Sequence, residues 1–300
     1  MAFLYYLGLF LCSAASTYSV QKYSRASRNF ADIWIYTALT GLIAMGVFWV
    51  MSGFSLFFNL PTVIYSLIYG MLVLVIHFSN LLSLRYMGIT QAALCSSTLT
   101  LVLSLLSGVL LFTEQANFIT VGRILLMLAA TWLAVLRKDV SAAVLIPGKK
   151  GRFFLGICLR LICSAASVGA TVVTKYFAMD TGVTDTNSFF FMTNVVLTVI
   201  SLLSLAMFCR GDARGAAREL KSIGLARYGA IVLNTVASNL SSTLTVLILA
   251  TGSVSYFTPV SGALGIIATE SVAVLIAREK PNIIPIILAA ASMLLGFLEM

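Results

Sequence analysis

The sequence predicts an all-α integral membrane protein with ten transmembrane helices in two inverted five-helix repeats, and three observations predict it. The first is composition: 60% of the residues are hydrophobic, only 10% are charged and the mean hydropathy is +1.03. No water-soluble surface can be built from that mixture. The second is run length. Ten apolar stretches lie at 3–22, 32–51, 62–84, 88–111, 119–136, 153–177, 187–208, 227–250, 253–277 and 282–298, each near the roughly 20 residues a helix needs to cross hydrocarbon. The third is repetition. CSAAS occurs at Cys12–Ser16 and again at Cys163–Ser167, 151 residues on, and each copy leads to a Lys-Tyr pair, Lys22-Tyr23 and Lys175-Tyr176. Gly88 opens an apolar run that closes at Glu114, 26 residues later, and Gly252 opens one that closes at Glu279, 27 residues later. Two echoes in the same order point to one unit used twice.

Those observations divide the chain into a first five-helix repeat (1–138), a basic linker (139–152) and a second repeat (153–300). An outer-membrane barrel would need strands alternating apolar and polar residues over about ten positions, and continuous stretches such as Ile119–Leu136 do not alternate. The first run lacks a basic leader and a cleavage pattern and carries one copy of the repeat, so it reads as a retained helix.

The charges are placed unevenly. Lys22, Arg25 and Arg28, then Arg85, then Arg137, Lys138, Lys149, Lys150 and Arg152, then Arg210, Arg214, Arg218, Lys221 and Arg227, then Arg278 and Lys280 all fall in odd-numbered connections, 16 of the 19 basic residues. The even-numbered connections have essentially none. By the positive-inside rule the odd connections face the cytoplasm and both termini lie outside. Five spans per half is an odd number, so the halves insert in opposite directions.

Taken in order, the first helix enters its basic connection at Lys22 and the second starts near Asp32. Asn59, Leu60 and Pro61 turn the chain into the third, where His77 and Asn80 stand three apart on one face. The fourth carries Ser97, Thr100, Ser104 and Gly108, a small-residue stripe that suits close helix packing. The fifth runs from Gly122-Arg123 to Arg137-Lys138. The sixth repeats the first, with Ser164, Ser167, Thr171 and Lys175 on one stripe and Arg160 a turn or two inside the span. Asp180 and Asp185 flank the passage to the seventh, and 213–225 reads either as a short basic amphipathic helix or as a solvated loop. The eighth has Asn234, Ser238, Ser241 and Thr245 at helical spacing, a stripe that lipid cannot satisfy. The ninth holds Pro259 and, 11 residues on, Glu270. The tenth follows Pro281 and Pro285.

The chemistry these residues allow is binding and movement. No nucleophile–base pair, phosphate-cradling loop or zinc motif is present, so an enzyme is not expected, nor a cofactor, a metal or nucleic acid. Cys12, Cys95, Cys158, Cys163 and Cys209 lack ligand spacing and read as packing residues. Glu270 is the sharpest single residue, since an acid inside an apolar run is costly unless protonated, paired or hydrated. Two roles fit it: a proton-coupling site, or a helix-end acid paired with Arg278. His77, the single histidine, can donate and accept at once and suits a cavity wall. Lys22 and Lys175 recur in the two halves, either as paired contacts for anionic groups or as lysines snorkelling at span ends.

Ten spans in two halves, a lysine near the end of the first helix of each half, and a helix closing on an acid before a terminal helix (LLFTEQ at 110–115, LIAREK at 275–280) resemble the drug/metabolite transporter superfamily in its ten-helix EamA-like branch. The resemblance covers nearly the whole chain, although a proline common in the family's fourth helix is absent here. It implies a central cavity between the third, fourth, eighth and ninth helices, with parts of the first and sixth, and with His77, Asn80, Asn239, Ser242, Tyr256 and Glu270 as candidate lining residues. It further implies secondary transport of a small polar metabolite or drug by alternating access in a bacterial cytoplasmic membrane, with a proton as the possible coupling ion. The same layout would also serve a flippase for a lipid-linked substrate, or a membrane interaction protein that transports nothing.

Overall fold

The computed structural model describes residues 2–26, 30–84, 86, 89–113, 118–136, 150–180, 185–208, 224–251, 254–275 and 283–297. All regular structure among them is helical. The helices are α1 (Ala2–Ala26), α2 (Phe30–Met51), α3 (Leu60–Ser83), α4 (Ile89–Phe112), α5 (Phe118–Leu136), α6 (Lys150–Asp180), α7 (Thr186–Phe208), α8 (Leu225–Thr251), α9 (Val254–Leu275) and α10 (Ile283–Phe297). Their ends fall within four residues of the apolar runs. The largest differences are at α1 and α6, which extend beyond their apolar runs into polar sequence. Five of them, α2, α3, α6, α7 and α8, are long and apolar enough to cross a membrane, and shorter apolar stretches lie in α1, α4 and α5. Most of the linker, and the whole of the basic stretch at 213–223, lie outside the described residues; Lys150–Arg152 open α6.

Local chemistry sets several boundaries. Asn59 caps α3 by accepting the Thr62 amide at 2.8 Å, and Pro61, which has no amide hydrogen, occupies the first turn where none is needed. Asp185 does the same for α7, accepting from the amides of Asn187 and Ser188 and from the Ser188 hydroxyl. The Ser188 oxygen in turn accepts the Phe57 amide at 2.8 Å, tying the α2–α3 connection to the start of α7. α2 ends where Gly53 takes φ +64°, a left-handed conformation open to glycine without strain, and the Phe54 amide folds back to the Trp49 carbonyl.

Packing joins the two halves of the chain. The most extensive helix pairs are α2 with α7, α3 with α6, α1 with α8, α5 with α10 and α4 with α9, followed by α4 with α6 and α1 with α9. Exchanging each helix for the one five positions away leaves this set of pairs unchanged. α2 and α7 approach closely at Gly41, where an added Cβ would stand 2.4 Å from Thr198 Oγ1 and 3.0 Å from the Asn194 carbonyl oxygen. At the end of the bundle that carries Lys22, the Tyr23 hydroxyl donates to the Asp32 carbonyl at 2.6 Å and Arg227 reaches the Asp32 carboxylate at 4.0 Å, so α1, α2 and α8 are fastened together. At the opposite end Phe48, Phe177, Phe189 and Phe190 form an aromatic cluster with Tyr65 and Tyr69.

Candidate functional site

Residues three and four apart share a helix face, and α6 uses that spacing for Arg160, Ser164, Ser167, Thr171 and Thr174. The polar stripe of α8 behaves similarly. Both turn inward where α1, α3, α6, α8 and α9 meet, around a cavity of about 300 Å³. Nine hydroxyl-bearing side chains line it: Ser13, Tyr69, Ser167, Thr171, Thr174, Ser241, Ser242, Thr245 and Ser261. Leu9, Ile76, Phe257 and Leu264 supply apolar contact, and among the described residues no charged side chain borders it.

The hydroxyls are not equivalent. Ser167, Thr171, Thr174 and Thr245 each donate to the backbone carbonyl four residues back, at 2.8, 3.1, 2.9 and 2.9 Å. Their hydrogens are thereby committed and their oxygens are left to accept. Ser13 and Ser241 have no hydrogen-bond partner among the described residues and can donate or accept. Tyr69 of α3 faces the same space, with Thr174 of α6 and Ser242 of α8 beside its hydroxyl. Its ring packs on Phe189 and Phe190 at centroid distances of 5.2 and 5.9 Å, and Phe189 stacks on Phe177 at 4.2 Å, so aromatic rings back the Tyr69 wall. The result is a small cavity rich in acceptors, matched to a solute that brings N–H or O–H donors.

Of the six candidate lining residues, Ser242 borders this cavity and His77, Asn80 and Asn239 do not, while Ser167, Thr171, Ser241 and Thr245 of the two polar stripes do. His77 stands edge-on to Tyr36 at 6.0 Å with Nδ1 buried, and neither that atom nor Asn239 Nδ2 has a partner among the described residues. Asn80 lies near the end of α3, where its carbonyl takes the Ser83 hydroxyl at 2.8 Å. The side chains of Tyr256 and Glu270 lie outside the described residues, and so do Glu114 and Glu279. Lys22 is exposed, its ammonium 5.8 Å from the Tyr18 ring, and Lys175 is half-buried with its ammonium 4.5 Å from the Phe112 ring. Neither lysine borders the cavity. On α8, Asn234 is buried and accepts the Ser16 hydroxyl at 2.7 Å, so the stripe serves both helix packing and the cavity.

Sequence reasoning did not single out Tyr69, Thr174 or Ser261. Tyr69 sits among Leu67, Ile68, Gly70 and Met71, and only its register with the α6 stripe marks it. Arg160 does not snorkel, because only 6% of it is exposed. Its Nη1 reaches Ser96 Oγ at 3.3 Å, and Ser164 Oγ donates to the Ser96 carbonyl at 3.1 Å. Among the described residues there is no group of three His, Cys, Asp or Glu side chains that could hold a metal ion.

No family model matches the sequence, and no curated protein matches it. The chain is similar to a solved structure described as "Crystal structure of protein", with a TM-score of 0.71 and 17% identity over 99% of this chain and 96% of that one. At that identity the likeness shows a shared fold.

Proposed function

We propose that this chain is a ten-span secondary transporter, built as two inverted five-helix repeats, that moves a small polar organic solute across the cytoplasmic membrane by alternating access. The observation that carries the reading is the hydroxyl-lined cavity of about 300 Å³ inside an apolar helical bundle. Hydroxyls turned towards one space inside an apolar bundle retain acceptor capacity that a polar occupant would satisfy. Its volume lies at the lower end of small-molecule sites, which span about 300 to 1,000 Å³. The walls come from α1 and α3 of the first half and α6, α8 and α9 of the second, so rocking one half against the other would alter access around a fixed site. The interchange of helix pairs between halves supports the repeat, and the one-sided basic connections support termini outside. The drug/metabolite transporter superfamily is the family this reading implies. Glu270 is assigned the coupling proton, the one acid in this reading placed inside a span.

The test is thermal stability of the purified protein against polyols, sugars, amino acids, nucleobases and amphipathic cations, followed by counterflow of any hit in proteoliposomes. A ligand at 100 times its dissociation constant stabilises by about 2.7 kcal/mol. Thr171→Val, which removes a lining hydroxyl while keeping shape, should weaken the hit at least tenfold. Glu270→Gln should abolish uptake driven by a pH gradient and spare solute exchange. Silence across the panel together with absent counterflow would overturn the transporter reading.

A further inference from the structure

The cavity leaves Arg160 unexplained. It stands on the same α6 stripe as Ser164, Ser167 and Thr171, seven residues before Ser167, which is about 10 Å along a helix axis. It is a guanidinium with five donors, 94% buried, and among the described residues its bond is a 3.3 Å contact from Nη1 to the Ser96 hydroxyl. Nε is buried without a partner. Cys95 and Cys163 lie near it, and the Cys163 thiol is turned to the Ile76 carbonyl at 3.9 Å. Of the helices packed on α6, α3, α4 and α8 contain no acidic residue. α9 brings Glu270, whose side chain lies outside the described residues. Arg160 forms no ion pair among the described residues.

An arginine in this position is a liability to folding alone. Helix ends fasten without it, the exposed surface has no access to it, and its Ser96 contact could be made by a neutral side chain. A buried guanidinium is best compensated by a planar oxyanion, which can accept two parallel N–H bonds from it, and charged groups inside spans generally mark solute pathways. We infer that Arg160, with the Ser96 hydroxyl beside it, is a binding station for an oxyanion, about two helical turns from the hydroxyl cavity and on the same stripe. This rests on the transporter reading and narrows it. A cavity that accepts hydrogen bonds and a station that takes an oxyanion together describe a hydroxy- or amino-substituted carboxylate, or a phosphate ester of similar size. Burial of Arg160 inside the bundle points to a solute arriving through the protein, whereas an anionic lipid headgroup would have to enter from the side.

The experiment compares thermal shifts of wild type and Arg160→Gln with matched probes: gluconate and sorbitol, glycerate and glycerol, serine and serinamide, inorganic phosphate, and micelles containing phosphatidylglycerol or phosphatidylcholine. The expected result is that the anionic member of a pair stabilises wild type more than its neutral partner and that the difference disappears in Arg160→Gln. The ligand-free variant should melt at or above the wild-type temperature, because it has lost a buried charge that is costly to desolvate. Arg160→Lys, which keeps the charge and loses the fork, should retain a reduced shift. A shift only with phosphatidylglycerol, lost in Arg160→Gln, would keep the oxyanion station and assign it to lipid. An anion-dependent shift that survives in Arg160→Gln, or a ligand-free variant that melts well below wild type, would overturn the station. Neutral probes that bind and counterflow while anions do nothing would also overturn it and leave the transporter standing.

Discussion

At the scale of single residues, the molecule separates hydroxyls that hold helices together from hydroxyls that face the cavity. Ser16 belongs to the first kind, donating to the buried Asn234 across the α1–α8 contact at 2.7 Å. Ser16→Ala leaves the Asn234 oxygen without its donor, and should lower stability by about 1 kcal/mol in a detergent unfolding titration with little change in ligand affinity. Tyr69 belongs to the second kind. Tyr69→Phe keeps the ring against Phe189 and Phe190 while removing one hydroxyl from the cavity lining, so it should weaken solute binding more than it lowers the melting temperature. The α8 stripe was legible in the sequence because four polar residues at helical spacing have no place in lipid. Tyr69 was not, because a tyrosine amid Ile68, Gly70 and Met71 has the same local appearance whether it faces lipid, packing or a cavity; its partner on α6 decides.

At the scale of elements, the helix contacts are governed by small residues whose effect depends on what stands opposite. At Gly41 a methyl group would meet Thr198 and the Asn194 carbonyl on α7, whereas at Gly46, five residues along the same helix, it would meet nothing within 4 Å. Gly41→Ala should therefore destabilise by about 1–3 kcal/mol through forced separation of α2 and α7. Gly46→Ala should be neutral or stabilising by up to about 1 kcal/mol, since alanine favours the helix. The opposite signs are read by the unfolding midpoints of the two variants. Helix positions were visible in the sequence to within a few residues, because apolar run length is a strong signal. Which glycine is a contact was invisible, since that depends on the facing helix and not on the run.

At the scale of the whole molecule, the charge pattern predicts that a reporter attached after Met300 reads as external and one inserted at 139–149 reads as cytoplasmic; the reverse result would invert the topology. Sequence repetition suggests two halves, but an echo such as CSAAS carries no information about which helix it packs against. In the folded chain the most extensive helix pairs all join one half to the other. That arrangement has a consequence for biosynthesis. When the ribosome has delivered the first five helices, none of their principal partners yet exists, and under the ten-span reading proposed above those helices would wait in the bilayer without them. The chain therefore becomes a protein only when its second half arrives. A gene cut between residues 138 and 150 should yield two fragments that are each degraded when made alone and that assemble into a working protein when made together.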